Sequence, residues 1–231
     1  MFLPAHLLDI PSALIVVGGT CLATLLRCGT GDVRAAGQGL AQLVRPRFNA
    51  KAVRAELAVQ VREIREDGVL RAEHHHVGDA EFDDATDALI GTRSIEALHT
   101  AHLAHKRRRM GQNRRAVRTF TQAADLSPVL GLAGTLISLT QLPGGPDGDF
   151  TGAISMAVLT TLYGLLLGNI VFAPLARAVA RRAGQEEAER QRLLDWLEDQ
   201  LAGALPPQGV GGHLAGHASN HGASHLRSTS R

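Results

Sequence analysis

The 231-residue chain carries 24 basic and 22 acidic side chains, a formal net charge of +2, with 45% hydrophobic and 3% aromatic residues. Averaged in this way it suits a soluble protein of one or two units; the scarcity of aromatics counts against a single-strand nucleic-acid binder, whose bases stack on rings. The only two cysteines, Cys21 and Cys28, make neither a disulfide framework nor a zinc site.

Distribution overrides the average. The basic residues all fall from Arg27 to Arg118 or from Arg177 onward, which leaves three apolar runs free of Lys and Arg. The first, Ile10 to Leu26, contains PSALIVVGGTCLATLL and ends at Arg27, whose side chain can snorkel to an interface. A signal peptide is the rival reading, but the basic residue lies on the wrong side of the apolar stretch. Residues 1–28 therefore read as a short external N-terminus and a first transmembrane helix.

Residues 29–124 are polar and helical in pattern. Val53, Leu57, Val61 and Ile64 recur at helical spacing, and Asp67-Gly68 closes that helix. A second amphipathic stretch, from about Ser94 toward Phe120, is strongly basic at Lys106 to Arg109 and again at Arg114, Arg115 and Arg118; these charges are expected to solvate an emerging helix and to meet anionic headgroups. His74 to His76 and the series His99, His102, His105 are expected at the surface.

Residues 125–176 form the most informative segment. SPVLGLAGTLISLTQL and TGAISMAVLTTLYGLLLGNIVFAPLA flank a Gly/Pro turn, Pro143 to Phe150. The run Leu126 to Leu142 extends about 26 Å as a helix, and the second is longer, so the pair reads as a membrane hairpin. Inside the two helices the polar side chains are hydroxyls and amides, chiefly Ser127, Thr135, Ser138, Thr140, Gln141, Ser155, Thr160, Thr161, Tyr163 and Asn169. A chain of this kind that conducts ions must take its titrating carboxylate from a second protein.

Small residues mark one side of each hairpin helix. Gly131 with Thr135 and Gly134 with Ser138 are spaced i, i+4, and the partner carries Ala153, Ala157, Thr161, Gly164 and Gly168. Such stripes let helix backbones approach closely in lipid. Ser127 and Pro128 are expected as cap and first turn of a helix, with Pro174 bending or closing its own; the alternative is that the two prolines mark flexible points at the membrane face.

Residues 177–205 form an amphipathic helix with Leu193, Leu194, Leu197 and Leu201 on one side, either extending the last membrane helix or packing on the basic one. Residues 206–231, rich in His, Gly and Ser, are expected to be structureless; His213, His217, His221 and His225 are spaced by four, but Gly, Ser and Asn between them oppose a helix, and no metal site is expected. The fold class is thus all-α, an integral membrane protein with three transmembrane helices and a helical cytoplasmic region. By the positive-inside rule the N-terminus and the hairpin turn face outward and the C-terminus inward.

The order of features in the hairpin (proline, glycine pair, threonine, TT-x-YG, Asn, closing proline) resembles the MotA/TolQ/ExbB channel proteins, and DIPSALIVVGGT is similar to the second span of flagellar stator A subunits. The likeness covers the membrane-spanning part of the chain. It implies a ring, typically a pentamer, around single-span, MotB-like partner helices that supply a membrane aspartate, with ion passage driving rotation in a bacterial inner membrane. Thr135, Thr160 and Thr161 would line the ion route, Pro128 and Pro174 would serve as hinges, and Gly131, Gly134, Gly164 and Gly168 would pack the helices. Arg65 and Glu73, with His74 and His76 nearby, would face a flagellar rotor, although surface charge pairs on a solvated helix explain the same residues.

No cofactor, no enzymatic activity and no nucleic-acid partner are expected. Protons are the expected ion, with sodium left open. An ExbB- or TolQ-like energiser of outer-membrane processes and a non-conducting membrane scaffold stand as alternatives. Stator A subunits normally have four spans, so either one more precedes the first run or this is a three-span variant with the TolQ and ExbB topology.

Overall fold

Inside lipid each backbone polar group needs a partner within the protein, and a helix supplies it from its own segment. The computed structural model describes residues 9–67, 76, 78–140 and 150–202, and these are helical with no strand among them. The helices are α1 (Ile10–Cys28), α2 (Thr30–Val44), α3 (Ala50–Asp67), α4 (Ala80–Thr92), α5 (Ile95–Thr140), α6 (Phe150–Leu166) and α7 (Ala173–Leu201), with a π turn, Leu167–Phe172, joining the last two. Three helical stretches are long and apolar enough to cross a membrane: Ile10–Cys28, Ile95–Thr140 and Phe150–Leu201. Gly68, Glu73, His74, the turn from Pro143 to Asp149 and the tail after Ala202 lie outside the described residues.

Asp9 starts α1 by accepting the backbone N–H of Ser12 at 3.0 Å, with Pro11 in the first turn. Gly29, at φ 79°, lies in the left-handed region where a side chain would be strained, and there the chain leaves α1 for α2. Ser12, Val16, Thr20 and Thr24 are buried, one residue per turn, on the side that packs against α5 and α6. Leu14, Val17, Leu22 and Leu26 are exposed, as lipid-facing side chains are.

The charged half of the molecule closes over an apolar core. Val53, Leu57, Val61 and Ile64 of α3 are all buried, together with Phe82 and Leu89 of α4, Leu98 of α5, and Leu193, Leu194, Leu197 and Leu201 of α7. Leucines at this spacing on α7 meet the α3 row because each helix turns one stripe toward the other. Nearer the membrane a smaller cluster, Ala36, Ala116, Phe120, Ala176 and Val179, ties α2, α5 and α7 together. Gly39 makes that approach close: a β-carbon there would fall 3.0 Å from Ala116 Cβ.

Two expectations at the membrane face are corrected. Ser127 and Pro128 do not start a helix; α5 runs unbroken for 46 residues with Pro128 inside it. Proline costs an interior helix one N–H and crowds the carbonyl four residues earlier, but the buried surface on both sides of Pro128 holds the helix together. Pro174 does not close its helix either. The chain widens into the π turn just before it, where the Ala173 N–H reaches the Gly168 carbonyl, and continues as α7. A π turn absorbs the steric demand of the ring without ending the helix.

Candidate functional site

The hairpin helices touch at glycine. A β-carbon on Gly131 would lie 2.8 Å from the Thr160 carbonyl oxygen and 3.2 Å from Gly164 Cα, and one on Gly164 would lie 2.6 Å from the Ser127 carbonyl. Gly134 receives the Thr160 side chain, with the Thr160 β-carbon 2.8 Å from where a methyl group would sit. A β-carbon on Gly168 would lie 2.7 Å from the Ala124 carbonyl oxygen and 3.2 Å from Pro128 Cδ. Ala124 is four residues before Pro128, so Gly168 gives the second helix room against the carbonyl that the proline leaves without its helical donor.

The three threonines are not equivalent. Thr160 is completely buried within the hairpin, whereas Thr135 and Thr161 are half-buried. Each hydroxyl donates to its own helix: Thr135 to the Leu132 carbonyl at 2.6 Å, Thr160 and Thr161 to the Ala157 carbonyl at 2.9 and 3.3 Å. With the proton so committed, the oxygen lone pairs remain as acceptors, which suits them to ligate a cation or a hydrated proton rather than to hold a charge. Among the described residues of the hairpin from Leu126 to Thr140 and from Phe150 to Ala176 there is no Lys, Arg, His, Asp or Glu.

The α1 hydroxyls escaped the sequence reading, which treated that run as apolar. Thr20 bonds to the Val16 carbonyl at 2.6 Å, while the Thr24 hydroxyl is buried without a hydrogen-bond partner. At the far end the Tyr163 hydroxyl accepts the Asp9 backbone N–H at 3.2 Å, which joins α1 to α6. The i, i+4 spacing of Ser12, Val16, Thr20 and Thr24 was the available signal.

In the charged half, the basic run divides. Arg107, Arg108, Arg114 and Arg118 are exposed, but Lys106 and Arg109 turn inward. Arg109 and Arg190 both bind Glu81, which is 3% exposed; Arg190 sits 2.6 Å from it and 2.8 Å from Asp79, and Arg109 also reaches Glu187 at 3.0 Å. The Arg190 guanidinium lies over the Phe48 ring, 4.1 Å from its centroid. Burial opposes the charge on Glu81, but the close approach of the His102 ring, hydrogen bonds from Arg109 and the charges of Arg109 and Arg190 outweigh it and hold its carboxyl at about 2. His102 is not a surface residue as its spacing suggested: it is buried against this carboxylate, Nδ1 lying 2.7 Å from Glu81 Oε1. Arg65 is exposed at the end of α3. No group of three or more His, Cys, Asp or Glu among the described residues is arranged to hold a metal ion.

Together these features define a helical membrane protein whose glycine-packed hairpin offers hydroxyl oxygens but no titrating group of its own, carried on a charged helical bundle. The chain belongs to the MotA/TolQ/ExbB proton channel family, which residues 73–192 match. It is 29% identical to Motility protein A of Cereibacter sphaeroides over 217 residues, 87% of this chain and 85% of that protein. It is 28% identical to Chemotaxis protein PomA of Vibrio alginolyticus over 197 residues, 81% and 75% of the two chains. Among solved structures, the flagellar MotAB stator complex from Bacillus subtilis shares the fold with a TM-score of 0.73 at 21% identity, covering 85% of this chain and 80% of that one. The C. jejuni MotAB structure does so with a TM-score of 0.76 at 19% identity, covering 88% and 82%.

Proposed function

We propose that this chain is the ring-forming subunit of an ion-driven flagellar stator in the bacterial inner membrane. The observation that carries the reading is the hairpin: long enough to cross a bilayer, bearing hydroxyls, free of carboxylates in its described helices, and lying within the matched stretch 73–192. A conducting path through it needs an acid from elsewhere, and a single-span, MotB-like partner presenting an aspartate to a pentamer of this chain meets that need. The relatives named for motility and the MotAB structures support the same assembly.

In this assembly Thr135 and Thr161 face the partner's aspartate and ligate the ion as it is passed inward, while Thr160 seats in Gly134 and fixes the distance between the hairpin helices. Protons are the favoured ion. Pro128 and Pro174 let α5 and α7 flex where they leave the membrane, so that motion at the aspartate reaches the bundle. The bundle and the C-terminus lie in the cytoplasm, the side on which the basic residues are gathered. Arg65 and Glu73 then contact the rotor.

The test is co-expression with the MotB-like partner of Thr135→Ala and Thr161→Ala chains, reading ion flux and swimming. Loss of both in either variant supports the pathway; flux and swimming unchanged in both variants remove it. Collapse of swimming under a protonophore, with no response to sodium withdrawal, identifies the ion as the proton.

A further inference from the structure

A cleft of about 150 Å³ opens between the first turns of α3 and the far half of α7, with Lys51, Arg54, Glu189, Arg192 and Trp196 among the residues that line it. Neither the hairpin nor the Glu81 cluster uses any of the five. Trp196, the single tryptophan of the chain, packs part of its indole against the apolar cluster. The Arg54 guanidinium lies over that ring, 4.8 Å from its centroid. The ring thus steadies the guanidinium at the cleft without cancelling its charge.

The charge around the cleft is one-sided. Three cations and one carboxylate line it, two positive charges in excess, and among the described residues none of these four groups forms an ion pair. The other acids of α7 are engaged elsewhere or lie outside the lining. Asp195 accepts from Gln191 at 2.9 Å, Glu186 and Glu187 bind Arg190 and Arg109, and Glu198 lies against His99; Asp199, and Glu56 of α3, do not line the cleft. Residues two apart on a helix point about 200° apart. Arg190 accordingly meets Asp79 and Glu81 inside the bundle, while Arg192 lines the cleft. Cations gathered around one concave site repel one another, and the concavity focuses their field on an anion that enters. Two guanidiniums offer planar forks that match phosphate oxygens, and the Lys51 ammonium adds a point charge. The indole N–H, which has no acceptor among the described residues, is left as a neutral donor. A dianion balances the excess; a single carboxylate does not.

We propose that this cleft binds the phosphate dianion, free or as the phosphate of a small monoester such as a nucleotide, between Lys51 and Arg54 of α3 and Arg192 of α7. Bound there, phosphate bridges the two helices and ties the start of α3 to α7. The site rests on the bundle alone and stands or falls separately from the stator reading.

Because Trp196 is the only tryptophan, its fluorescence reports on the site directly. The full chain in detergent micelles is titrated at constant ionic strength with inorganic phosphate, adenosine monophosphate, adenosine and acetate. The emission should change saturably with the two phosphates and stay constant with adenosine and acetate. Half-saturation should move to about tenfold higher phosphate in a chain carrying Lys51→Gln and Arg192→Gln. A chain carrying Arg107→Gln and Arg108→Gln, an equal loss of charge at exposed positions of α5, should bind as the wild type does. Arg54 is kept in both because it lies against the reporting ring. Equal half-saturation by the two phosphates supports the site with free phosphate as sufficient ligand; tighter binding of the nucleotide supports it with the ester as ligand. No saturable response to either phosphate, an equal response to acetate, or undiminished binding in the Lys51→Gln, Arg192→Gln chain overturns the proposal. A response to a polyglutamate peptide with none to phosphate also overturns it, and makes the cleft a docking surface for an acidic protein. Should the double variant fail to fold, the wild-type titrations with phosphate and acetate still decide.

Discussion

Gly131 and Gly164 lie face to face across the hairpin, so close that a methyl group on Gly164 would come within 3.0 Å of Gly131 Cα and 2.6 Å of the Ser127 carbonyl. Neither obstacle is a flexible side chain that can swing aside. Both are backbone, and the helices must separate to admit the atom.

Gly164→Ala should therefore destabilise the protein by about 1–3 kcal/mol, the usual cost of overpacking a tight contact. Gly111→Ala, on the same long α5 that carries Gly131 but with nothing within 4 Å of the added carbon, supplies the comparison, and should leave stability unchanged or raise it by up to about 1 kcal/mol through helix propensity. Thermal unfolding of both variants in one detergent checks the difference. Equal melting temperatures would show that the glycine contact has room to spare.

Much of the hairpin was legible in advance because its signals are local. Charge-free runs of bilayer length and small residues at i, i+4 depend on one helix at a time. The bundle core was legible for the same reason, Val53 to Ile64 and Leu193 to Leu201 each being a stripe. The ion cluster was not, since Asp79, Glu81, His102, Arg109 and Arg190 come from three helices and each alone resembles a solvated surface charge. The π turn before Pro174 was also hidden: proline announces that the helical pattern is disturbed, but whether the chain bends, stops or widens depends on what packs around it.

Glu81 sets an acid limit on the bundle. Its carboxyl titrates at about 2 in the folded protein against an ordinary 4.5, so its contribution is complete above the ordinary value and is lost as pH falls through the folded one. The difference is worth on the order of 3 kcal/mol. Glu81→Gln should lower stability by about 3 kcal/mol at neutral pH, because Arg109 and Arg190 keep their charges beside a neutral amide. Its melting temperature should also fall less steeply with acid than that of the wild type. Parallel slopes below about pH 4.5 would mean that other carboxylates govern the acid transition.

Asp9 holds the start of α1, and its loss should be felt across the membrane half. Its carboxylate accepts both the backbone N–H and the hydroxyl of Ser12, and its own N–H is held by Tyr163. Asp9→Ala should cost about 1 kcal/mol as a lost cap, whereas Asp9→Asn, which retains an acceptor, should cost about half as much or less. Thermal melts of the two variants separate capping from charge: an equal loss in both would assign the effect to the charge instead.

Gln60 is the one side chain in the α3 stripe that works against the core around it. It is 1% exposed, and both its amide nitrogen and its oxygen lack hydrogen-bond partners, while Leu57, Val61 and Ile64 beside it are packed in the apolar cluster. An amide buried without partners costs about 1–3 kcal/mol, and an apolar group of similar shape removes that cost. Gln60→Leu should accordingly stabilise the bundle by about 1 kcal/mol or more, seen as a rise in melting temperature with no change in helix content by circular dichroism. Gln60→Ala removes the amide but leaves a cavity among the leucines, so it should gain less than the leucine variant or lose stability outright. If leucine destabilises the protein, the amide has a partner in solution, and the position belongs to a polar contact rather than to the apolar core.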